Sequence, residues 1–423
     1  MFSWQKRFRI KLPVTKYGFP FAENSQSHRN LTPERDVRKK GIALLLAIMI
    51  ISLLMVFVSD LILSSQVNLE LTHQQTNNLK AEYLAKSGAN LATFMLTVDY
   101  AIDLAMSRPP LNQEKADGPG DIWALINGVP IGGDTAELIG GFAEQFELSE
   151  NMDEGIINQL KEFQGQFIIN IEDESKKINL NACSFARCDE VLAMLQALFA
   201  CPVEKKFLED KNLKNEALVA NIKDYLDEKS ILEAGSEFSD EDAPYGKTQP
   251  EYKAKNAPLY SLDELKMVEG WDQDLHVVFS PYFTVFPFKE NKDYKPKINI
   301  NTANRELLAC LVREAGIDCN DKFTQSIQAR DTDKVNVASA GSLKEYLKSM
   351  MCFSGKEGSS EAQNPEKWFQ TFSDTYRITV SGMAGDQIKT LDLVIQRKIP
   401  EKASKIDYQD NLSAYSVLYR KLK

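Results

Sequence analysis

The sequence predicts an α+β protein in which a long N-terminal helix packs on an antiparallel sheet and a large helical domain is inserted between the strands. Three observations carry this. No proline occurs between Gly41 and Arg108, and apolar residues there recur at helical spacings. Residues 166–171, 282–286, 376–380 and 390–395 alternate in the manner of strands, the last two around a turn at 382–386. A short motif, Lys177-Ile178-Asn179-Leu180-Asn181-Ala182, returns as Lys297-Ile298-Asn299-Ile300-Asn301-Thr302-Ala303, each time ahead of a helical run.

The long helix begins as a membrane segment. Residues 42–58 carry no charge and one polar side chain, Ser52, and the apolar character reaches Leu63. As a helix, 42–63 spans roughly 33 Å, enough for a hydrocarbon core of about 30 Å. Arg38, Lys39 and Lys40 precede it, so the positive-inside rule keeps the N-terminus in the cytoplasm and sends the body outward. A cleaved secretory signal and a plain single-span anchor are the alternatives; no small-residue cleavage site closes the run. Val67, Leu71, Leu79, Tyr83, Leu84, Leu91 and Phe94 continue the helical spacing to about Thr97. Residues 99–155 turn rich in Gly, Pro and acids and read as irregular connections with short helices near Trp123 and Phe142.

Charge divides the 423 residues. Residues 1–41 hold ten Lys/Arg and three Asp/Glu, net +7; the other 382 hold 40 basic and 57 acidic residues, net −17. An acidic body repels phosphates, so no nucleic-acid partner is expected. The repeated Asn motif also opens helix-hairpin-helix modules that bind DNA. The second copy, however, offers one glycine between acids (Glu314-Ala315-Gly316-Ile317-Asp318), and the first offers none. In both copies, alternating Ile/Leu and Asn suits an extended segment whose Asn or Thr caps the next helix, which suggests two small helical subdomains.

The string Arg38-Lys39-Lys40-Gly41, then Ile42-Ala43-Leu44-Leu45-Leu46, resembles the leader of type IV pilins and type II secretion pseudopilins. The resemblance implies cleavage between Gly41 and Ile42 by a prepilin peptidase on the cytoplasmic side. Most of that family has Glu at the fifth position after the cut; here it is Leu46, as in the K-type minor pseudopilins. The 41-residue leader is longer than such leaders usually are. The run Ala81-Glu82-Tyr83-Leu84-Ala85-Lys86-Ser87-Gly88-Ala89 is similar to the pseudopilin pattern of small residues and an aromatic lining the helix underside.

The body carries more. Asp224-Tyr225-Leu226-Asp227-Glu228, then Gly235-Ser236-Glu237 through Tyr245, Asn256-Ala257-Pro258-Leu259, Glu264-Leu265 and Val268-Glu269-Gly270 follow in the order of K-type motifs, with Tyr225 where Trp is usual. The resemblance implies a pilin-like fold whose helical domain holds two SAM-like or helix-hairpin-helix-like subdomains. It also implies a structural role, with no enzymatic chemistry: a minor pseudopilin capping the tip of a periplasmic pseudopilus, beside I- and J-type minor pseudopilins. The location implied is the inner membrane, single-pass, N-terminus cytoplasmic and body periplasmic. Without a carboxylate at Leu46 to pair with a neighbour's N-terminal amine, the subunit needs none above it, and the bulky insertion blocks further addition. The alternative is a membrane-anchored helix-hairpin-helix DNA-binding protein, for example in DNA uptake.

On these expectations the chain divides into a cleaved basic leader (1–41), a transmembrane part (42–63) and the rest of the helix with the start of the sheet (64–175). There follow a first helical subdomain with an acidic loop (176–280), a connecting strand (281–296) and a second helical subdomain (297–355). Terminal sheet strands (365–400) and an unplaced tail (401–423) complete it.

Two residue clusters suggest sites. Asp227, Glu228, Glu237, Asp240, Glu241 and Asp242 crowd one irregular segment. Calcium takes six to eight oxygens from such loops, and the alternative is a solvated acidic loop. The K-type family binds calcium in this region, which implies Asp224 and Asp227 from a helix end and Glu237, Asp240 and Asp242 from the loop. Six cysteines (Cys183, Cys188, Cys201, Cys310, Cys319 and Cys352) suit disulfides in an exported chain, expected within each subdomain; free thiols remain open. Zinc is disfavoured because no C-x2-C occurs and His28, His73 and His276 are scattered. No nucleophile elbow, Walker loop or H-E-x-x-H motif is present.

Overall fold

The structure, a computed structural model, describes residues 37–106, 116–132, 165–185, 188–227, 245, 252–288, 295–314, 320–339, 341–350, 367–397 and 415–423. The chain divides into two compact units, Met1–Leu69 and Glu70–Lys423. Helix α1, Val37–Met106, runs through the boundary and begins before Gly41 rather than at Ile42. In the first unit its apolar residues from Ile42 to Leu63 are solvent-exposed on every side, the pattern of a helix whose solvent is lipid.

In the second unit α1 lies on a five-stranded antiparallel sheet. After α2 (Ile122–Leu125) come β1 (Pro130–Gly132) and β2 (Gln166–Asp173); β7 (Thr375–Ala384), β8 (Gln387–Arg397) and β9 (Tyr415–Leu422) complete the order β1-β2-β7-β8-β9. The tail that the sequence left unplaced thus supplies the edge strand β9. The helix expected near Phe142 lies outside the described residues.

Small residues set the distance between helix and sheet. Ala81, Ala85, Ala89 and Ala92, with Leu84 and Leu96, are buried against Phe167, Ile169, Ile378 and Val380. A Cβ on Gly88 would stand 2.5 Å from Val380 Cγ1, and one on Gly382 would stand 2.2 Å from the Ala81 carbonyl oxygen. Here the structure corrects part of the helical reading. Tyr83, the aromatic expected on the helix underside, is exposed together with Leu79 and Phe94; they lie on the opposite side of α1 from the alanines, where no close backbone approach limits side-chain size. Gly385, at φ +55 in the two-residue β7–β8 turn, occupies a left-handed position that glycine adopts without steric cost.

The helical insertion lies between β2 and β7. It comprises β3 (Ile178–Asn179), α3 (Cys188–Phe199), α4 (Pro202–Asp210), α5 (Asn215–Leu226), α6 (Gln273–Phe279), β4 (Phe283–Thr284), β5 (Ile298–Asn299), α7 (Arg305–Glu314), α8 (Asn320–Asp333), α9 (Leu343–Met350) and β6 (Phe369–Gln370). Its apolar residues form one continuous core, from Ile178 through Phe369 to Val394 of β8, so the two expected helical subdomains share one interior. The strand expected at 282–286 does not join the main sheet. Two of its residues form β4, which pairs in parallel with β3, and β5 pairs in parallel with β6.

The repeated Asn motif holds each half closed. In the first copy Asn179 Oδ1 accepts from the Asn181 amide at 3.0 Å. Asn181 then accepts from the Leu259 amide (2.7 Å) and donates to the carbonyls of Leu259 and Val285 (both 2.8 Å). In the second copy Asn299 Oδ1 accepts from the Asn301 amide at 3.0 Å. Asn301 accepts from the amides of Val337 (3.0 Å) and Ala338 (3.2 Å) and donates to the Ala338 carbonyl (3.0 Å). All four asparagines are buried. Asn179 meets the capping expectation at the 3-10 helix Leu180–Phe185, where it accepts from the second amide, whereas Asn181 and Asn301 are clasps rather than caps. A carboxamide offers a donor and an acceptor side by side, which matches the N–H and C=O of a buried loop residue; α7 is capped instead by Asn304, whose Oδ1 accepts from the Glu306 amide at 2.8 Å.

Two outcomes follow for stability. Gly88→Val overpacks the helix–sheet contact and should cost about 1–3 kcal/mol in urea unfolding, whereas Ser87→Val on the exposed face should cost little. Asn181→Ala leaves the Leu259 and Val285 backbone groups buried without partners, at about 1–3 kcal/mol for each unsatisfied group, so the melting temperature should fall clearly.

Candidate functional site

Three places answer to the residues singled out by sequence. The leader junction comes first. Gly41 and Ile42 lie within the helical span of α1, and Ile42 and Leu46 are exposed one turn apart. Leu46 thus presents an aliphatic side chain, with no acid beside it, at the fifth position after Gly41.

The second place is the end of α5. Asp224 and Asp227 are both buried there, Asp224 in the last turn and Asp227 as the C-terminal cap. Helix C-termini favour positive charge, so two carboxylates at one call for a compensating cation or donors. The turn is held by the Asn256 amide donating to the Tyr225 carbonyl (3.0 Å) and by Ser184 Oγ donating to the Leu226 carbonyl (2.9 Å). Tyr225, Tyr245 and Tyr252 pack in sequence beside it, the first pair edge-on and the second tilted, with ring centroids 5.8 and 5.1 Å apart; burial pushes the Tyr225 hydroxyl up to about 12. All-oxygen carboxylate donors from a rigid helix end fit a hard cation. Glu237, Asp240 and Asp242 lie outside the described residues.

The same region explains why its neighbouring motifs are needed. Glu264 Oε1 accepts from the amides of Tyr260 (2.8 Å) and Ser261 (3.1 Å), closing a capping box, while Leu265 and Val268 enter the core. Gly270 takes φ +82 in the turn that follows. Leu259, at the end of Asn256-Ala257-Pro258-Leu259, is the residue that Asn181 grips. These motifs build one frame beside the end of α5.

The third place is the cysteines. Cys183 pairs with Cys188, and Cys201 pairs with Cys310. The second bridge departs from the expectation of pairing within each helical half. Cys201 follows α3 and Cys310 lies in α7, and the shared core brings their Cα atoms to 5.5 Å. Cys319 and Cys352 lie outside the described residues. A 109-residue separation makes Cys201–Cys310 the bridge with the larger effect on the unfolded chain; replacing both cysteines with Ser should cost about 2–5 kcal/mol, read by urea unfolding, and non-reducing peptide mapping should recover the pair.

One cluster was not found by sequence: Asp99, Asp103 and Asp117, whose carboxylates lie within 4.8 Å of one another. The available signal was Asp99 and Asp103 one turn apart on a proline-free helix.

Comparison with known proteins agrees with the motif order. Residues 176–288 match the family model described as type II secretion system (T2SS), protein K. Type II secretion system protein K of Aeromonas hydrophila is 25% identical over 276 residues, covering 65% of this chain and 70% of that protein. Its namesake from Klebsiella pneumoniae is 23% identical over 278 residues, covering 65% and 69%. A chain in the crystal structure of the GspK-GspI-GspJ complex from the enterotoxigenic Escherichia coli type 2 secretion system is similar at TM-score 0.48 and 16% identity, over 83% of this chain and 99% of that one. The nucleic-acid reading gains no support from these relatives. The matched segment contains the first Asn clasp, the acidic loop and the Asn256–Gly270 frame, and through it the chain is similar to type II secretion system protein K.

Proposed function

We propose that this chain is a minor pseudopilin that caps the tip of the periplasmic pseudopilus of a type II secretion system, acting by assembly rather than by chemistry of its own. The observation that supports this most is one chain joining three features: an Arg-Lys-Lys-Gly leader, a fifth residue that is Leu46, and a 176–288 segment of the protein K family. The helix from Ile42 is long and apolar enough to cross a membrane once, consistent with a single-pass anchor. The basic residues before it orient the N-terminus to the cytoplasm and the body to the periplasm.

Assembly follows from the α1 surfaces. The alanine and glycine face is occupied by the sheet, and Leu79, Tyr83 and Phe94 form an exposed apolar stripe suited to neighbouring subunits, the I- and J-type minor pseudopilins. Leu46 gives no carboxylate to a further subunit's N-terminal amine. Calcium held by Asp224, Asp227 and acids of the adjoining segment would brace the end of α5 without taking part in a reaction.

The deciding experiment is the intact mass of the protein from membranes, with and without a prepilin peptidase. Loss of residues 1–41, leaving Ile42 at the N-terminus, is the expected result; a chain left uncut in the presence of the peptidase would reduce the protein to a simple anchored one.

A further inference from the structure

We infer that the C-terminal end of α1 and the segment beginning at Ala116 form a second divalent-cation site of the calcium class, built from Asp99, Asp103 and Asp117 with Asp121 beside them. The site is separate from the acidic loop after α5 and does not depend on the secretory assignment.

The geometry carries the inference. Asp99 and Asp103 lie one turn apart on α1 and face the same side. Asp117 approaches from the connecting segment, anchored by its amide donating to the Thr371 carbonyl (2.8 Å) and its Oδ2 accepting from the Ser373 amide (2.5 Å). One carboxylate oxygen from each of the three falls within a 4.8 Å sphere. Independently of that clustering, Asp99 is 5% exposed and its Oδ2 has no hydrogen-bond partner, a cost that a buried carboxylate bears only when something else meets it. Asp121 is fixed nearby, its Oδ2 accepting from the Gly118 amide (2.6 Å) and Trp123 Nε1 (3.3 Å).

Among the described residues, the cation beside these carboxylates is Arg397, whose Nη1 stands 3.9 Å from Asp117 Oδ1 while its guanidinium lies over Tyr100 and Tyr376. It does not reach the orphaned Asp99 Oδ2. A divalent ion would meet hard oxygen donors drawn from a helix and an irregular segment, the flexible donor geometry that calcium accepts. Its effect would be to pin the end of α1 to the segment leading into α2 and, through Thr371 and Ser373, to the approach to β7.

The test uses the full chain in detergent, stripped with a chelator, with calcium counted by equilibrium dialysis and terbium as luminescent probe excited through tryptophan. Trp123 touches the cluster through Asp121, so it should sensitise an ion bound there. Wild type should bind one more calcium per chain than Asp99→Asn and should melt higher with calcium than without. Asp99→Asn should lose the terbium signal that depends on Trp123, and the Asp224→Asn, Asp227→Asn double variant should keep it. Equal calcium counts in wild type and Asp99→Asn would overturn the site. Should Asp99→Asn fail to fold, Trp123→Phe decides alone, since terbium luminescence undiminished in that variant places the ion elsewhere and overturns the site as well.

Discussion

The pairing of β2 with β7 is the constraint on which the body depends. Asp173 of β2 and Ser373, just before β7, lie 200 residues apart in sequence yet share a 2.5 Å hydrogen bond. An intervening chain of that length closes against a loop entropy that local contacts must offset. The two Asn motifs do this in stages. Each folds its half of the insertion back to its starting point, β3 beside β4 and β5 beside β6, so the chain leaves the insertion close to where it entered. Asp173 joins the stages: buried, it accepts from Thr302 of the second motif, from Ser373 and from Asn299.

Around that junction the sheet works on two faces. Toward α1 it offers Phe167, Ile169, Ile378 and Val380 to a helix of small residues. On the other side, Val394 of β8 belongs to the core of the insertion, and Leu418 and Tyr419 of β9 pack against that core. Arg377 links the strands to the entry turn, donating to Glu174 at 2.6 Å and to Asp392 at 3.2 Å. Glu174 is almost wholly buried and is met by two cations, Arg377 and, at 3.6 Å, Lys177. The insertion is thereby continuous with the sheet through side chains of both.

The proposed role draws on parts of the molecule that differ in kind. In that proposal the leader and apolar helix are linear signals, for a peptidase and a bilayer to read. The clasped helical domain is a shape, framed by Asn181, Leu259 and Glu264. A protein whose role is to occupy a position in an assembly needs rigid surfaces more than a cleft, and the buried carboxamide clasps and the Cys201–Cys310 bridge supply rigidity where hydrophobic packing alone specifies position less sharply.

Legibility followed the range of the interactions. The membrane helix, the strands at 166–173, 375–384 and 387–397 and the β7–β8 turn were readable because hydrophobic period and turn chemistry are local. So was the order of motifs from Asp224 to Gly270, as a pattern. What those motifs do was not readable: that Asn181 grips Leu259, or that Asn299 reaches Asp173, depends on residues 78 and 126 positions away. The small residues of the 81–89 run do line the packed face of α1, while its aromatic, Tyr83, does not, because a sequence does not show the close approach that Gly88 and Gly382 permit. The strand at 415–422 was missed because its alternation is weak, and pairing with β8 supplies what propensity does not. The Cys201–Cys310 bridge and the gathering of Asp99, Asp103 and Asp117 likewise belong to the tertiary structure. Local period and composition determined which segments are helix, strand and membrane; only the folded chain could decide which distant polar groups meet, because desolvation makes them pair and topology chooses the partner.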